Sequence, residues 1–267
     1  MNAYAEIREL AERLAREAGV LQRSRYETHF KTRAKGADID LVTEVDLACE
    51  RLIVDALQTE RPDDAILAEE GSGDDKPHAR LRWVIDPLDG TVNYAHGYPR
   101  FCVSIGVEQA GAAVVGVVYD PLLDELFAAT RDGGATRNGR SIRVSSEAQL
   151  SRALLATGFA YDVHESEDDN LANFARFAKL ARGLRRDGSA ALDLCYVACG
   201  RFDAFWELKL HPWDVCAGNL IVVEAGGRTS DFRGGPAPGD GRQIVASNGA
   251  VHDAVIEVLQ RPSAGTP

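Results

Sequence analysis

VIDPLDGTVNY, from Val84 to Tyr94, decides how the chain is read. The apolar run Trp83 to Ile85 leads into Asp86 and Pro87, and a second acid, Asp89, follows with Gly90 and Thr91. Proline cannot donate to a sheet ladder, so a buried strand is expected to stop at Pro87. Two carboxylates and a hydroxyl on a turn straight after such a strand make either an ordinary turn or a cage for hard cations. In the first case Thr91 is the N-cap of a short helix through VNYAHG. In the second its hydroxyl orients a water. The two are compatible, because a helix N-terminus is also an anion site.

Upstream, Ile7, Leu10, Leu14 and Ala18 recur at helical spacing and predict an amphipathic helix ending near Gly19. A second helix is expected after Thr43, through EVDLACERLIVDALQTERP, with Pro62 as its stop. DAILAEEG and LRWVIDP read as strands that deliver acids at their C-terminal ends. From Phe101 to about Ser145 the runs FCVSIGVE, AAVVGVVYD, DELFAAT and RSIRVS predict an antiparallel meander, with a tight turn at Asn138 and Gly139.

After Leu150 strands and helices alternate: ALLATGF, a helix from Asn170 to Ala181, a helix capped by Ser189, the strand RFDAFWE, an apolar helix beginning at Asp214, the strand RQIVASN and a closing helix. The expected organisation is therefore an α+β N-terminal half over residues 1–150 and an α/β C-terminal half over residues 151–261. Residues 262–267 are expected to form a frayed tail.

The chain has 267 residues and a net charge of −11, with 45% hydrophobic and 27% charged residues. This is the composition of a globular enzyme with a large core. The negative charge argues against direct nucleic-acid binding, yet allows a phosphorylated substrate if metal ions supply the positive charge. No signal peptide or membrane span is apparent. The five cysteines (Cys49, Cys102, Cys195, Cys199 and Cys216) read as reduced thiols, and a cytoplasmic location is expected.

Six acids stand out: Asp46, Glu69, Glu70, Asp86, Asp89 and Asp214. Each alone is an ordinary solvated acid. As a set they end apolar strands or begin an apolar helix, and buried carboxylates that converge need cations. Oxygen donors without His or Cys point to Mg²⁺. His211 is expected to be no ligand for the same reason. The nucleophile motif D-x-D-G-T of haloacid dehalogenase-type phosphatases does not fit, since Asp86 and Asp89 are three apart with Pro87 between them.

Several motifs in order carry a resemblance. WVIDPLDGT (Trp83–Thr91), WDVCAG (Trp213–Gly218), DLVTEVD (Asp40–Asp46), EEGS (Glu69–Ser72) and RRDGSAALDL (Arg185–Leu194) are similar to signatures of the inositol monophosphatase family, the lithium-sensitive, magnesium-dependent phosphatases. The resemblance implies a layered αβαβα sandwich, two or three Mg²⁺ ions and a homodimer.

It also implies roles. Glu69, Asp86, the Leu88 carbonyl, Asp89 and Asp214 correspond to metal ligands. Thr91 with Asp46 corresponds to the pair that orients the attacking water, and Lys35 to a nearby positive charge. Glu69, Leu88, Asp89, Gly90, Thr91 and Asp214 also border the substrate phosphate, while Gly188, Ser189, Ala190 and Glu207 match positions that hold the inositol ring. Of Arg185 and Arg186, one is expected to touch substrate and the other a subunit interface, with Arg185 taken as the substrate contact. The implied reaction is hydrolysis of myo-inositol monophosphate by direct in-line attack of water. The alternatives are fructose 1,6-bisphosphate, histidinol phosphate or a nucleoside bisphosphate as substrate, or a non-catalytic partnership with the transcription machinery.

Overall fold

The runs CVSIGVE, VVGVVYD and AFWEL are buried at every position, so each sheet has two apolar faces to cover, and helices cover all four. A computed structural model describes residues 4–35 and 40–261. The expected tail, residues 262–267, lies outside the described residues.

The first half runs α1 (Ala5–Arg25), β1 (Thr32–Ala34), β2 (Leu41–Thr43), α2 (Glu44–Glu60), β3 (Ala65–Ala68), β4 (Arg82–Asp89), α3 (Thr91–Ala95), β5 (Cys102–Gln109), β6 (Ala112–Asp120), β7 (Glu125–Thr130), β8 (Gly134–Arg137) and β9 (Arg140–Ser141). Strands β3 to β9 form a seven-stranded sheet in chain order, antiparallel except for the parallel pair β3–β4. Asn138 and Gly139 both have positive φ in the β8–β9 turn, as the RNGR reading expected.

The second half adds β10 (Leu154–Thr157), α4 (Leu171–Leu180), β11 (Gly183–Arg185), α5 (Ala190–Ala198), β12 (Ala204–Leu208), α6 (Pro212–Glu224), β13 (Arg228–Ser230), β14 (Gln243–Ser247) and α7 (His252–Leu259). Its sheet has the order β11-β10-β12-β14-β13, with β10 parallel to β11 and β12 and β14 antiparallel to both neighbours.

Side-chain parity sorts the layers. Val103, Ile105 and Val107 of β5 face α1 and α2, in one core with Leu14, Ile53 and Leu57. Cys102, Val118 and Phe127 face the other way, onto α5 and α6, and share that core with Ala156, Phe205 and Ala246 of the second sheet. Leu155, Trp206 and Val245 look outward to Phe177 of α4 and Val255 of α7. The result is the expected αβαβα stack, with α5 and α6 as the layer common to both sheets.

Two glycines set how closely the central layer approaches. A Cβ on Gly116 of β6 would lie 2.5 Å from the Ala217 carbonyl oxygen of α6, and one on Gly106 of β5 would run into Cys216. Their absence of side chains lets α6 lie against the sheet and brings its N-terminal end, with Asp214, up to the end of β4.

Local expectations failed in several places. Helix α1 continues six residues past Gly19, because that glycine packs under the Tyr119 ring, where a Cβ would come within 2.5 Å, and is no stop signal. Strand β4 does not end at Pro87 but runs to Asp89 through a bulge. RSIRVS contributes only Arg140–Ser141, while the short strands β1, β2, β8, β11 and β13 carry too little pattern to be found from sequence. Cys49, Cys102, Cys195 and Cys216 are buried thiols and Cys199 is half-buried; none is in a disulfide.

Candidate active site

The bulge in β4 makes the site. Asp86 pairs with Ser104 and Asp89 with Cys102, so β4 spends one more residue than β5 across this interval. Asp86 folds back to accept the Leu88 N–H at 2.9 Å. Gln22 of α1, fully buried, donates its amide to the Pro87 carbonyl at 2.8 Å and to the Cys102 carbonyl at 3.2 Å. These carbonyls flank the broken register, and the glutamine supplies the donors the ladder lacks.

Thr91 is not the cap of α3. Gly90, at φ +94, holds that position, where its Cβ would strike the Arg100 carbonyl. The Thr91 hydroxyl is thereby free to turn inward, 2.8 Å from Asp46 Oδ1 and 3.0 Å from the Leu88 carbonyl. Asp46 is the N3 residue of α2, and its other oxygen accepts the Thr43 N–H at 3.0 Å in a capping box.

Asp214, from the first turn of α6, accepts the His211 N–H at 2.7 Å. One carboxylate oxygen each from Asp86, Asp89 and Asp214 lies within 4.8 Å of the others. Burial raises the pKa of all three. The neighbouring charges of Glu69, Asp89 and Asp214 push Asp86 up further. At Asp89, hydrogen bonds from Ser189 Oγ (2.6 Å) and the Ala191 N–H (2.8 Å) oppose the rise. At Asp214 the Asp89 charge adds to burial. Three carboxylates crowded in this way are under mutual repulsion, which a divalent ion with oxygen preference would relieve. The donor set therefore fits the metal expected from sequence.

Lys35 stands beside this group and pairs with Glu69 (2.7 Å) and Glu70 (2.6 Å). Burial opposes its charge, but the two glutamates outweigh that and raise its pKa. Burial likewise pushes Glu70 up to about 7 and Asp46 up to about 6, against the hydrogen bonds each accepts.

A cavity opens over the acids. Glu69, Asp86, Leu88, Asp89, Gly90, Thr91 and Asp214 form its floor, and Gly188, Ser189 and Ala190 at the start of α5 form one wall. Glu207 of β12 lies opposite, its carboxyl raised to about 8 by burial against the lowering influence of Arg186. Of the paired arginines, Arg186 lines the cavity, whereas Arg185 does not and donates to the Leu184 carbonyl. Lys35 and Asp46 act from behind the lining.

Sequence reading missed several contributors. Phe159, Tyr161, Lys209 and Trp213 also line the cavity, and so does His211, which the sequence placed near the site without making it a ligand. Lys209 has φ +60 and is tied to Asp162 and Ser166 at 2.7 Å each. Asn93 clamps the turn before α5 by donating to the Asp187 carbonyl at 2.7 Å. Gln22 falls in register with the buried stripe Leu14, Ala15 and Ala18 of α1, but beyond Gly19, where the helix was expected to end.

Fold and site together define a layered α/β protein whose acidic cavity suits a divalent cation and an anionic substrate. The chain belongs to the inositol monophosphatase family, whose model matches residues 3–263. It is 46% identical over 225 residues to the inositol-1-monophosphatase of Synechocystis sp., covering 84% of this chain and 78% of that protein. It is also 46% identical over 230 residues to the Nus factor SuhB of Pseudomonas aeruginosa, covering 83% of each. The solved structure of inositol monophosphatase from Anabaena superposes with a TM-score of 0.88 at 41% identity, covering 97% of both chains. The fold class and the enzyme class expected from sequence, an inositol-phosphate phosphatase, hold. Among the described residues no helix is long and apolar enough to cross a membrane.

Proposed function

We propose that this chain hydrolyses a phosphate monoester of a small polyol, with myo-inositol monophosphate as the leading substrate. The observation that carries the reading is the convergence of Asp86, Asp89 and Asp214 within 4.8 Å, beside a hydroxyl–carboxylate pair, on the floor of one cavity. Asp86, Asp89 and Asp214, with Glu69 and the Leu88 carbonyl, would hold two or three Mg²⁺ ions. When bound, these supply positive charge to the phosphate and lower the pKa of water.

The remaining roles fall to the chain's own groups. The Thr91 oxygen accepts a hydrogen bond from the attacking water while its own O–H donates to Asp46, so the water is held in line with the phosphorus. The Gly90 and Thr91 amides bind phosphate oxygens at the start of a turn, and Lys35 holds Glu69 in place. Gly188, Ser189 and Ala190 border the ring, and Glu207 receives a ring hydroxyl. Arg186, not Arg185, is the arginine next to substrate. The test is a panel of phosphorylated polyols, sugar bisphosphates, histidinol phosphate and nucleoside bisphosphates, assayed with Mg²⁺, with chelator and with Li⁺. Mg²⁺-dependent release of phosphate from inositol monophosphate, inhibited by Li⁺, is expected. Turnover indifferent to chelator would refute the reading.

A second role as a partner of the transcription machinery has one support, the identity to proteins named Nus factor SuhB. A pull-down of transcription factors that persists with Asp89→Asn would separate it from catalysis. A homodimer in the cytoplasm is part of the same proposal and is tested by sedimentation and by cell fractionation.

A further inference from the structure

Glu50 is fully buried on α2, one helical turn beyond Asp46. Both of its carboxylate oxygens are committed. Oε2 accepts the Glu70 N–H at 2.7 Å and Oε1 accepts the Ser72 N–H at 2.9 Å. The segment they hold is the turn that follows β3. Glu69 makes the last rung of the parallel ladder, donating its N–H to the Ile85 carbonyl at 3.1 Å, and Gly71 then reverses the chain at φ +91. Past that rung Glu50 holds the backbone of the turn, while Lys35 pairs with the Glu69 and Glu70 carboxylates. A carboxylate that accepts two backbone amides forms charge-assisted bonds, which are shorter and stronger than neutral ones.

Residues i and i+4 share a helix face, so Asp46 and Glu50 project from α2 on the same side. The first reaches Thr91 and the second reaches the turn that carries Glu69 and Glu70. We propose that Glu50 is a positioning residue for Glu69. Through the Glu70 and Ser72 amides it fixes where that carboxylate stands relative to Asp86, and α2 thereby holds Asp46 of the water-orienting pair and the Glu69 turn at one spacing. The inference rests on the proposal that Glu69 and Asp86 bind a divalent ion.

The test uses the full chain and Mn²⁺ alone, titrated calorimetrically without substrate. Glu50→Gln keeps the size of the side chain but turns an NH₂ toward one of the two amides. Glu50→Asp keeps the charge and withdraws it by one methylene. Each is expected to weaken Mn²⁺ binding by about 10- to 100-fold, the usual effect of losing an outer-shell partner. Amide exchange at Glu70 and Ser72 in the metal-free protein is expected to accelerate by a similar factor.

The control is Asp64→Asn. Asp64 is another buried carboxylate, held by Arg61 and Trp83 at the far end of β3, and its loss should lower the melting temperature without moving Mn²⁺ affinity. Wild-type affinity in both Glu50 variants would overturn the inference, as would an equal loss in Asp64→Asn, which would mark a general effect of destabilisation. Wild-type protein that binds no Mn²⁺ would instead overturn the metal reading beneath it, and this inference with it.

Discussion

The Thr91 hydroxyl lies between two acceptors, Asp46 Oδ1 at 2.8 Å and the Leu88 carbonyl at 3.0 Å, and has one proton to give. A charged carboxylate is the stronger acceptor, so the Thr91 O–H donates to Asp46 and leaves the Leu88 oxygen available to a cation. Because Asp46 also caps α2, the orientation of Thr91 is tied to the start of a helix. Thr91→Ala is expected to lower kcat by about 10²- to 10⁴-fold with little change in melting temperature. Thr91→Ser should recover most of the loss, and steady-state kinetics of the two variants is the check.

Asp89→Asn bears on the metal directly. The residue is held by Ser189, by the Ala191 amide and by the Cys102 thiol, so an isosteric amide fits without disturbing α5. Turnover should fall by about 10²-fold or more while circular dichroism stays unchanged. Near-normal activity in this variant would remove Asp89 from the ligand set.

Crowded carboxylates should also make the protein's stability depend on divalent ions. Burial raises the pKa of Asp86, Asp89 and Asp214, and neighbouring carboxylate charges raise them further, so their ionised forms are costly without a cation. An ion that binds only the folded state contributes about 2.7 kcal/mol at a hundred times its dissociation constant. Calorimetric scans should therefore show a melting temperature several degrees higher in saturating Mg²⁺ than in chelator, by about 2–4 °C per kcal/mol. Asp214→Asn should shrink that increment.

Acid stability can be assigned in part to His252. It is fully buried, with Nε2 2.9 Å from Ser230 Oγ and Nδ1 2.8 Å from Ser247 Oγ. Ser230 gives its proton to the Asp231 carbonyl, so it must accept from Nε2–H, and the ring is neutral with Nδ1 receiving the Ser247 proton. Burial pushes its pKa down to about 4, and Arg228 contributes. The unfolded chain takes up this proton near pH 6.5, so the unfolded state binds more protons between about 6.5 and 4, and stability is lost as pH falls through that window. The loss amounts to at most about 3 kcal/mol. In the metal-free protein Asp46 and Glu207, whose pKa values are raised, act in the opposite sense. The measurement is thus the difference in urea midpoint between wild type and His252→Gln, expected to change with pH only below about 6.5.

Layer spacing offers a prediction remote from the chemistry. Gly116→Ala would press a methyl group onto the Ala217 carbonyl and force α6 off the sheet. A loss of about 1–3 kcal/mol is expected from chemical denaturation. Mg²⁺ affinity should fall as well, since Asp214 travels with that helix. A variant that loses stability while binding Mg²⁺ normally would show that α6 yields elsewhere.

By itself the sequence determined an α+β half followed by an α/β half and the identity of the acids, while the order of layers came only with the family resemblance. Helical period marks α1, α6 shows as a long apolar run between Asp214 and Gly226, β5 and β6 show as apolar runs cut by turn residues, and motifs such as WVIDPLDGT mark their carboxylates without reference to any contact. Short strands such as β1, β11 and β13 escaped, because three residues carry no period.

Tertiary structure alone decided how those acids meet. The bulge after Asp86 is set by pairing with β5 and is sealed by Gln22 from a helix 65 residues earlier. The approach of Asp214 depends on glycines in β5 and β6, and the posture of the Glu69 turn depends on Glu50. Each of these is a contact between segments distant in sequence, and local pattern holds no information about which backbone group a buried side chain will reach.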